Sequence, residues 1–505
     1  MRKLLLASAA TIGAAGFTAA HAQPATPMPA TTMPVTESQG MIATQPAASP
    51  PAGANNNNNT TAAATPGPVA NPTPGSVVVH INGRVFTGLY ASWGSLDSVH
   101  GVAGGTAAGA QFKINPLHVA TYARLYTGVD GMATNGLRYG GAIEIRENFT
   151  GQTSNSGSSA ASGYTSSETL FVRRAFAYVA SDTAGILRAG QGDGLISLYD
   201  NGVTTFQFLP SGNLNGGDVE VMTPGNTQIP FAFVAVAGNE YGTNRLVYMS
   251  PQFYGFDAGV QWAPSTTNGY AVQSPTFFTV VPGCPTAAPG CDTLSSSTNA
   301  LDGSRSINQT AVGLRYQGKF GDIGLLAYGV YEFSGHAKYD GPFIPAGSVA
   351  ALATSGGTGR FDNLSAKNAG VAVTFAGITV GGNYMGGAVN GQLALKPTGG
   401  ANMNAYLLGA KYVTGPLTVG IVGERIFSQG APQLVGITQR QEYGFDGGAS
   451  YLLAPGLVGW AEYTYQHRYQ GGFNFATGTA APAAVAGAYN NVQSQIFAVG
   501  ATVYW

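Results

Sequence analysis

The sequence predicts an all-β fold, a transmembrane antiparallel β-barrel of about 16 strands with long external loops. Charged residues make up only 9% of the 505 residues, whereas globular chains carry roughly 25%, so little of the surface suits water. After the N-terminal segment, no stretch offers about 18 consecutive apolar residues, which excludes transmembrane helices. From residue 77 onward, apolar and polar residues alternate in short segments, as they do in strands. A membrane protein without transmembrane helices must cross the bilayer as a closed barrel, because lipid cannot form hydrogen bonds with unpaired backbone N–H and C=O groups.

The first 22 residues read as a secretory signal peptide. Arg2 and Lys3 precede an apolar run over residues 4–20, which ends at the A-x-A cleavage pattern of Ala20-His21-Ala22. Removing these two basic residues from the 22 of the chain leaves 20 against 23 acidic residues, a formal net charge of −3. A nucleic-acid partner would call for a basic patch, so this charge balance argues against one.

Residues 23–75 are rich in Pro, Ala, Thr and Asn, including five consecutive asparagines from Asn55 to Asn59. They hold almost no aromatic or charged residue and therefore cannot bury a core. We expect a disordered extension, either a periplasmic tether or an inert linker, before a barrel domain over residues 76–505.

The first strand, VVVHINGRVFTGLYASW, shows the period of two most clearly. One face carries Val79, Ile81, Val85, Leu89 and Trp93. The other face carries His80, Asn82, Arg84, Tyr90 and Ser92. The first face suits lipid and the second suits water.

Seven hairpins follow, each closed by a short turn, and long polar loops separate them. Gly, Pro and Asp stand at the turns, for example Asp130-Gly131 and Ala376-Gly377, because they accept the backbone angles that tight turns need. The predicted pairs are residues 117–128 with 136–147, 169–180 with 185–191, 243–250 with 256–263, 307–317 with 323–334, 368–376 with 378–386, 404–413 with 417–428, and 441–453 with 457–469.

Together with the first and last segments, the hairpins give sixteen strands, an even number as in bacterial outer-membrane barrels. A strand of about ten residues tilted by about 45° spans roughly 25 Å, the height of the apolar band of such barrels. Sixteen strands enclose a lumen that side chains cannot fill, so an aqueous channel is expected.

Residues 493–505 are predicted to be the closing strand. Phe497, Val499, Val503 and Trp505 share the face that should meet lipid, and the strand's edge should pair with the first strand near residues 79–89. The alternative is an ordinary strand of a soluble β protein.

The cysteines and histidines indicate a structural role at most. Cys284 and Cys291 lie seven positions apart in the predicted loop 264–306, and we expect a disulfide between them. The histidines after residue 22 are scattered without metal-ligand spacing, so neither a metal nor a cofactor is expected. A barrel enzyme could in principle use inward-facing His80, His118 or His467 as a base. No nucleophile motif accompanies them, so we do not expect an enzyme.

Two hairpins carry a family resemblance. LFVRRAFAYVASDTAGILRAGQGDG is similar to the fourth and fifth strands of the general diffusion porins of Gram-negative bacteria, and NRLVYMSPQFYGFDAGVQW resembles their next hairpin. The resemblance extends over most of the chain from about residue 77 to the aromatic C-terminus. Trp505 stands where the family usually has Phe. Gln191 stands where the fifth strand commonly ends in Arg, with Arg188 three residues earlier.

The resemblance implies an outer-membrane porin, a water-filled channel for passive diffusion of ions and small hydrophilic solutes. It also implies a homotrimer in the outer-membrane lipid, inserted by the barrel assembly machinery. Two alternatives stay open on the same barrel, a substrate-selective channel for sugars or small acids and a structural or adhesive surface barrel.

The resemblance further implies that the third loop, about residues 192–240, folds into the lumen and sets its acids against a basic wall. Alternation predicts the basic wall at Arg84, Arg124, Arg138, Arg146, Arg173 and Arg188. The alternative is that several of these arginines are rim charges or loop anchors. The predicted acidic loop carries Asp193, Asp200, Asp218, Glu220 and Glu240.

Overall fold

The computed structural model describes residues 72–99, 115–148, 171–200, 227, 229, 244–265, 280–281, 284–285, 306–336, 361–390, 395–431, 434, 438–476, 479–480 and 489–505. The predicted signal peptide and residues 23–71 of the predicted extension lie outside them. No helix among the described residues is long and apolar enough to cross a membrane.

Sixteen antiparallel strands close into one barrel and follow one another around it in chain order, which confirms the predicted fold. The barrel strands are β1 (Ser76–Gly94), β2 (Leu117–Met132), β3 (Arg138–Asn148), β4 (Phe171–Ser181), β5 (Gly185–Gln191), β6 (Asn244–Met249), β7 (Phe256–Ser265), β10 (Ser306–Phe320), β11 (Ile323–His336), β12 (Leu364–Phe375), β13 (Ile378–Ala388), β14 (Met403–Thr414), β15 (Leu417–Ser428), β16 (Arg440–Ala454), β17 (Leu457–Tyr469) and β20 (Asn491–Tyr504). Two short ribbons accompany the barrel, β8 (Val280–Val281) with β9 (Cys284–Pro285), and β18 (Phe473–Asn474) with β19 (Thr479–Ala480).

The barrel closes where β1 pairs with β20, from Arg84 opposite Tyr504 to Gly94 opposite Ser494. The paired part of β1 therefore begins about five residues later in the sequence than the predicted residues 79–89. A closed barrel is staggered, so the start of β1 extends past the end of β20 and pairs with β2 alone. Gly83 and Trp505 exchange two backbone hydrogen bonds of 3.1 and 3.2 Å, which complete the closure.

The short turns follow the predicted chemistry. Between β12 and β13, Ala376 and Gly377 have φ values of 48° and 80°, and Phe375 pairs directly with Ile378. Two central residues with positive φ form the turn type whose twist matches a hairpin, and glycine adopts it without strain.

The two faces of the wall differ as the alternation predicted. On the outward face of β1, Val79 and Ile81 are 65% and 64% exposed, whereas Arg84 and Phe86 on the inward face are each 1% exposed. Aromatic side chains are exposed close to the short turns, including Phe253, Phe320 and Trp505. The outside is therefore an apolar band with an aromatic edge, and the inside holds most of the charge.

Part of the long-loop end is a packed layer. Leu434, Phe473 and Phe475 belong to a buried apolar cluster at this end. The Arg440 guanidinium lies 4.6 and 5.2 Å from the centroids of the two phenylalanine rings, and its Nε donates to Gln470 Oε1 at 2.8 Å. These contacts fix the rim above β16 and β17.

Candidate functional site

Arginines dominate the inward face of strands β1 to β6. Arg84 and Arg124 stand directly opposite each other on β1 and β2, and Arg188 and Arg245 continue the set on β5 and β6. All four are at most 6% exposed. The described buried charges of β1–β6 are five arginines against two carboxylates, namely Arg84, Arg124, Arg174, Arg188 and Arg245 against Asp130 and Glu144. This face, the basic sector, forms one side of the lumen wall.

A β-bulge decides which arginine of β4 joins the basic sector. Glu144 pairs with Arg174, but Ile145 pairs with Val172, so Arg173 is the extra residue. The bulge shifts the alternation, and Arg174 is 1% exposed on the inward face. Strict alternation had predicted Arg173, whose side chain lies outside the described part of the chain. The bulge changes the phase only for the residues before it. Arg174 alternates in step with the buried Phe176 and Tyr178, and this signal could have identified it.

The other predicted arginines divide between the wall and its rim. Arg188 lies with its guanidinium carbon 3.9 Å from the centroid of the Phe176 ring. Arg138 is close to a short turn and pairs through Nη2 with Asp182 Oδ1 at 3.2 Å, a carboxylate whose side chain is 66% exposed. Arg138 is therefore a rim charge. The backbone of Arg146 pairs with Arg124, and its side chain is not among those described.

Acids from the segment after β5 meet this wall. Asp193 Oδ2 lies 2.7 Å from Arg174 Nε, and Glu144 Oε2 lies 3.2 Å from Arg174 Nη1. The three side chains are at most 1% exposed. One guanidinium thus contacts two buried carboxylates, and it joins the segment to β3 and β4.

A one-turn helix follows, α1 (Leu195–Tyr199), and all five of its residues are buried. Its Leu195 N–H donates to the inward-facing Gln261 Oε1 of β7. The wall leaves room for the helix at Gly259, where a Cβ would lie 2.4 Å from Leu195 Cδ1 and 2.8 Å from the Tyr199 hydroxyl. The Tyr199 ring lies 4.8 Å from the guanidinium carbon of Arg315 on β10.

Contacts of the same segment reach strands far from β5. Asn383 Nδ2 on β13, six strands away around the barrel, donates to Asp200 Oδ1 at 3.1 Å and to Tyr328 Oη at 3.2 Å. The Ile229 N–H donates to Gln466 Oε1 on β17 at 2.7 Å, and Ile229 is fully buried. Residues 193, 200 and 229 thus contact inward-facing side chains of three well-separated strands.

The rest of the wall is richer in acid. On the barrel strands from β7 to β20, the described buried charges are six carboxylates against four cations, namely Asp257, Glu332, Glu424, Glu442, Asp446 and Glu462 against Arg315, Lys411, Arg440 and Arg468. Arg315 pairs with Asp257 at 2.9 Å and Arg468 pairs with Glu442 at 2.7 Å. Sequence reasoning placed acids only on the loop. The alternation of β15, β16 and β17 could have revealed Glu424, Glu442, Asp446 and Glu462.

Several predicted residues are not placed. Asp218, Glu220, Glu240 and Cys291 lie outside the described residues, and Cys284 lies in the ribbon β8–β9 opposite Val281. The predicted disulfide therefore stays a prediction. The closing-strand residues lie on one outward row, with Val503 and Trp505 47% and 58% exposed.

The histidines have separate surroundings. His80 Nε2 lies 3.2 Å from Asp130 Oδ2 on the inward face. His467 is predicted to face inward, but Gln466 and Arg468 hold the inward positions of β17. His467 lies on the outward face, where its ring stacks on Tyr443 with 4.6 Å between the ring centroids. The side chain of His118 is not described. In the described part of the chain, no group of three or more His, Cys, Asp or Glu could hold a metal ion.

The comparisons with known proteins fit this architecture. A family model described as Gram-negative porin matches residues 47–470. Among solved structures, an anion-selective porin from Comamonas acidovorans is 13% identical, covers 85% of this chain and 100% of its own, and has a TM-score of 0.48. The in-vitro folded trimer form of OmpT from Vibrio cholerae is 13% identical, with coverages of 85% and 100% and a TM-score of 0.42. No curated protein matches the chain in sequence.

Proposed function

The chain belongs to the Gram-negative porin family, and from that membership we propose how this outer-membrane channel conducts and selects. The family and the fold are those of channels rather than enzymes. We propose a water-filled pore for passive diffusion of ions and small hydrophilic solutes. Its narrowest part lies between the basic sector and the segment that follows β5, which folds into the lumen.

The contact between Arg174 and Asp193 carries this proposal. An acid of the segment meets an arginine of the wall at 2.7 Å, and α1 lies against the inward side of β7 and β10. A segment held at one end by β4 and at the other by β13 and β17 narrows the passage that remains. A loop longer than about 15 residues in a compact fold is usually functional.

Opposed charges across that passage create a transverse field. The basic sector stands on one side, and the acid-rich wall and segment stand on the other. Such a field orients dipolar solutes and disfavours apolar ones, and a surplus of one sign sets the ion preference. The channel therefore selects by polarity and charge rather than by a dedicated binding pocket.

Single-channel recording in a planar bilayer with a salt gradient tests this function. Replacing Arg84 and Arg124 together by Gln should shift the zero-current potential toward cation preference. Replacing Asp218 and Glu220 together by Ala should shift it toward anion preference. Lys319→Gln, which removes an exposed cation near a short turn, is the matched control and should leave the potential unchanged. If both double variants behave like the wild type, the constriction lies elsewhere.

The same recording separates the alternative functions. Large ohmic steps that sugars do not affect support passive diffusion. Block by a sugar or a small acid at low concentration would replace it with a substrate-selective channel. A silent barrel would favour a structural or adhesive role.

We further propose a homotrimer in outer-membrane lipid, inserted by the barrel assembly machinery, because the resemblance to general diffusion porins implies each of these. Residues 1–22 would direct export, and the following extension would be a linker up to about residue 71. Residues 72–75 already belong to the barrel edge, since the Gly75 N–H donates to Met132 O at 2.7 Å. Native mass spectrometry of the detergent-extracted protein would report the oligomer.

A further inference from the structure

Trp460 on β17 lies across the junction at which the barrel closes, on the inward face. The register places Trp460 opposite Gly500 on β20, and Gly500 opposite Gly88 on β1. A Cβ at Gly500 would lie 2.3 Å from Trp460 Cζ2, and a Cβ at Gly88 would lie 2.8 Å from Trp460 Cη2. The indole therefore crosses β20 and reaches β1, because the two glycines leave room for it.

On β1, the indole lies between two aromatic rings. Phe86 and Tyr90 stand on either side of Gly88 in the inward row of β1. The Phe86 ring stacks on the indole, with 4.7 Å between the ring centroids and an interplanar angle of 17°. The Tyr90 ring is tilted by 54° against it, with 6.3 Å between the centroids. A side chain of β17 thus contacts a strand with which β17 does not pair.

The contact is buried and depends on packing. Trp460 is 2% exposed, and Phe86, Tyr90 and Ile496 are each 1% exposed. These four residues and Ala498 form a buried apolar cluster of their own. The indole N–H is buried, and no described residue accepts a hydrogen bond from it, although an unpaired buried donor is costly. Aromatic and apolar contacts therefore hold the ring in place.

The strands that the indole joins are the pair with the weakest chain connection. In the described barrel, β1 and β20 are the one neighbouring pair whose strands are not consecutive in the order of barrel strands. Ser95 and Gln493, which bond at the long-loop end of the junction, are 398 positions apart in the chain. Every other pair is joined directly by a turn or a loop, which keeps the two strands close when their hydrogen bonds break. Side-chain contacts across the junction take the place of that connection.

We propose that Trp460 is an internal latch, which holds the first and last strands of the barrel together after closure. Trp505 covers β1 from the outward face, where a Cβ at Gly83 would lie 2.4 Å from Trp505 Cζ2. Trp460 covers β1 from the inward face, further along the strand at Gly88. Separation of β1 from β20 requires both rings to move, so the latch lowers the rate at which the closed barrel opens at this junction.

Hydrogen exchange of the purified, folded full chain in detergent, measured by mass spectrometry, tests the latch. In Trp460→Leu, the slowly exchanging amides of residues 84–94 and 494–504 should exchange about tenfold faster or more, because a large buried aromatic side chain is lost. The pair β12–β13, which lies in another part of the barrel, should exchange at the wild-type rate. Trp262→Leu removes an exposed tryptophan of β7 and is the matched control, which should leave the junction unchanged. Wild-type exchange at the junction of Trp460→Leu would overturn the proposal.

A covalent bond across the junction distinguishes a latch from a general contribution to stability. Thr87 on β1 and Ala501 on β20 are direct neighbours on the outward face, so Thr87→Cys with Ala501→Cys should form a disulfide. Oxidation of this pair should return the exchange of Trp460→Leu at the junction to about the wild-type rate, and reduction should reverse the effect. Fast exchange that persists in the oxidised protein would show that Trp460 does not act on this junction.

Heat-modifiable electrophoretic mobility checks that each variant is folded. If Trp460→Leu does not fold, Trp460→Phe, which keeps a smaller aromatic ring, replaces it. That variant must show the same local increase of exchange at the junction, or the proposal fails.

Discussion

Arg174 shows how much one buried charge can hold together. Its guanidinium is the described ion-pair partner of Glu144 and of Asp193, and neither carboxylate side chain is exposed. Two anions brought out of water are tolerable only while a cation lies between them, because the low dielectric strengthens their attraction to it and their mutual repulsion. The pair therefore contributes to the position of the segment after β5 more than to net stability.

Arg174→Gln should destabilise the folded protein by about 3–5 kcal/mol, since it removes a buried cation that contacts two buried carboxylates. The measurement is reversible urea unfolding in lipid vesicles, followed by tryptophan fluorescence. Arg174→Lys keeps the charge but loses the planar fork, so it should cost less.

Adding Asp193→Asn to Arg174→Gln removes one of the two carboxylates that Arg174 contacts and should recover part of the loss. A double variant no more stable than the single one would show that the two side chains are not coupled.

At the scale of elements, α1 and the part of β7 on which it packs illustrate what a sequence can and cannot reveal. The sixteen strands, their turns and their two faces follow from the period of two and from turn residues such as Ala376-Gly377. The helix could not be predicted, because five residues carry no helical period, and its position depends on Gly259, which reads in the sequence as an ordinary strand glycine. The bulge at Arg173 was equally hidden, since one inserted residue leaves no mark on composition.

Gly259→Ala should displace α1 and change the single-channel conductance, because the added Cβ would lie 2.4 Å from Leu195 Cδ1. Gly329→Ala is the matched control, since Gly329 lies on an outward row of β11 and a Cβ there would meet nothing within 4 Å. Both variants should assemble normally. Identical conductance of the two would mean that α1 does not border the open passage.

At the scale of the whole molecule, the barrel combines two asymmetries. Around its circumference, the inward charge changes from mainly basic in β1–β6 to mainly acidic in the remaining strands. Along its axis, exposed aromatic residues lie near the short turns, and the exposed outward-facing cations Lys367 and Arg425 lie toward the long-loop end. The sequence predicted only the basic half of the first asymmetry, although the alternation of β15, β16 and β17 also places acids on the inward face.

Deletion of Tyr504 and Trp505 should prevent assembly and leave periplasmic aggregate. It removes both backbone hydrogen bonds to Gly83 and exposes the edge of β1. Trp505→Phe keeps the backbone and an aromatic ring and should reach the surface. The measurement is surface labelling of intact cells together with heat-modifiable mobility, and normal assembly of the truncated chain would contradict the closing role of β20.

The Gly83–Trp505 junction also sets the order of steps in folding. Trp505 bonds to Gly83 near the middle of β1, so this edge of β1 lacks its neighbour until β20 has formed. Because β20 follows the other fifteen barrel strands along the chain, no array of the preceding hairpins satisfies that edge. An unclosed barrel therefore presents a free strand edge, which has to be covered until closure.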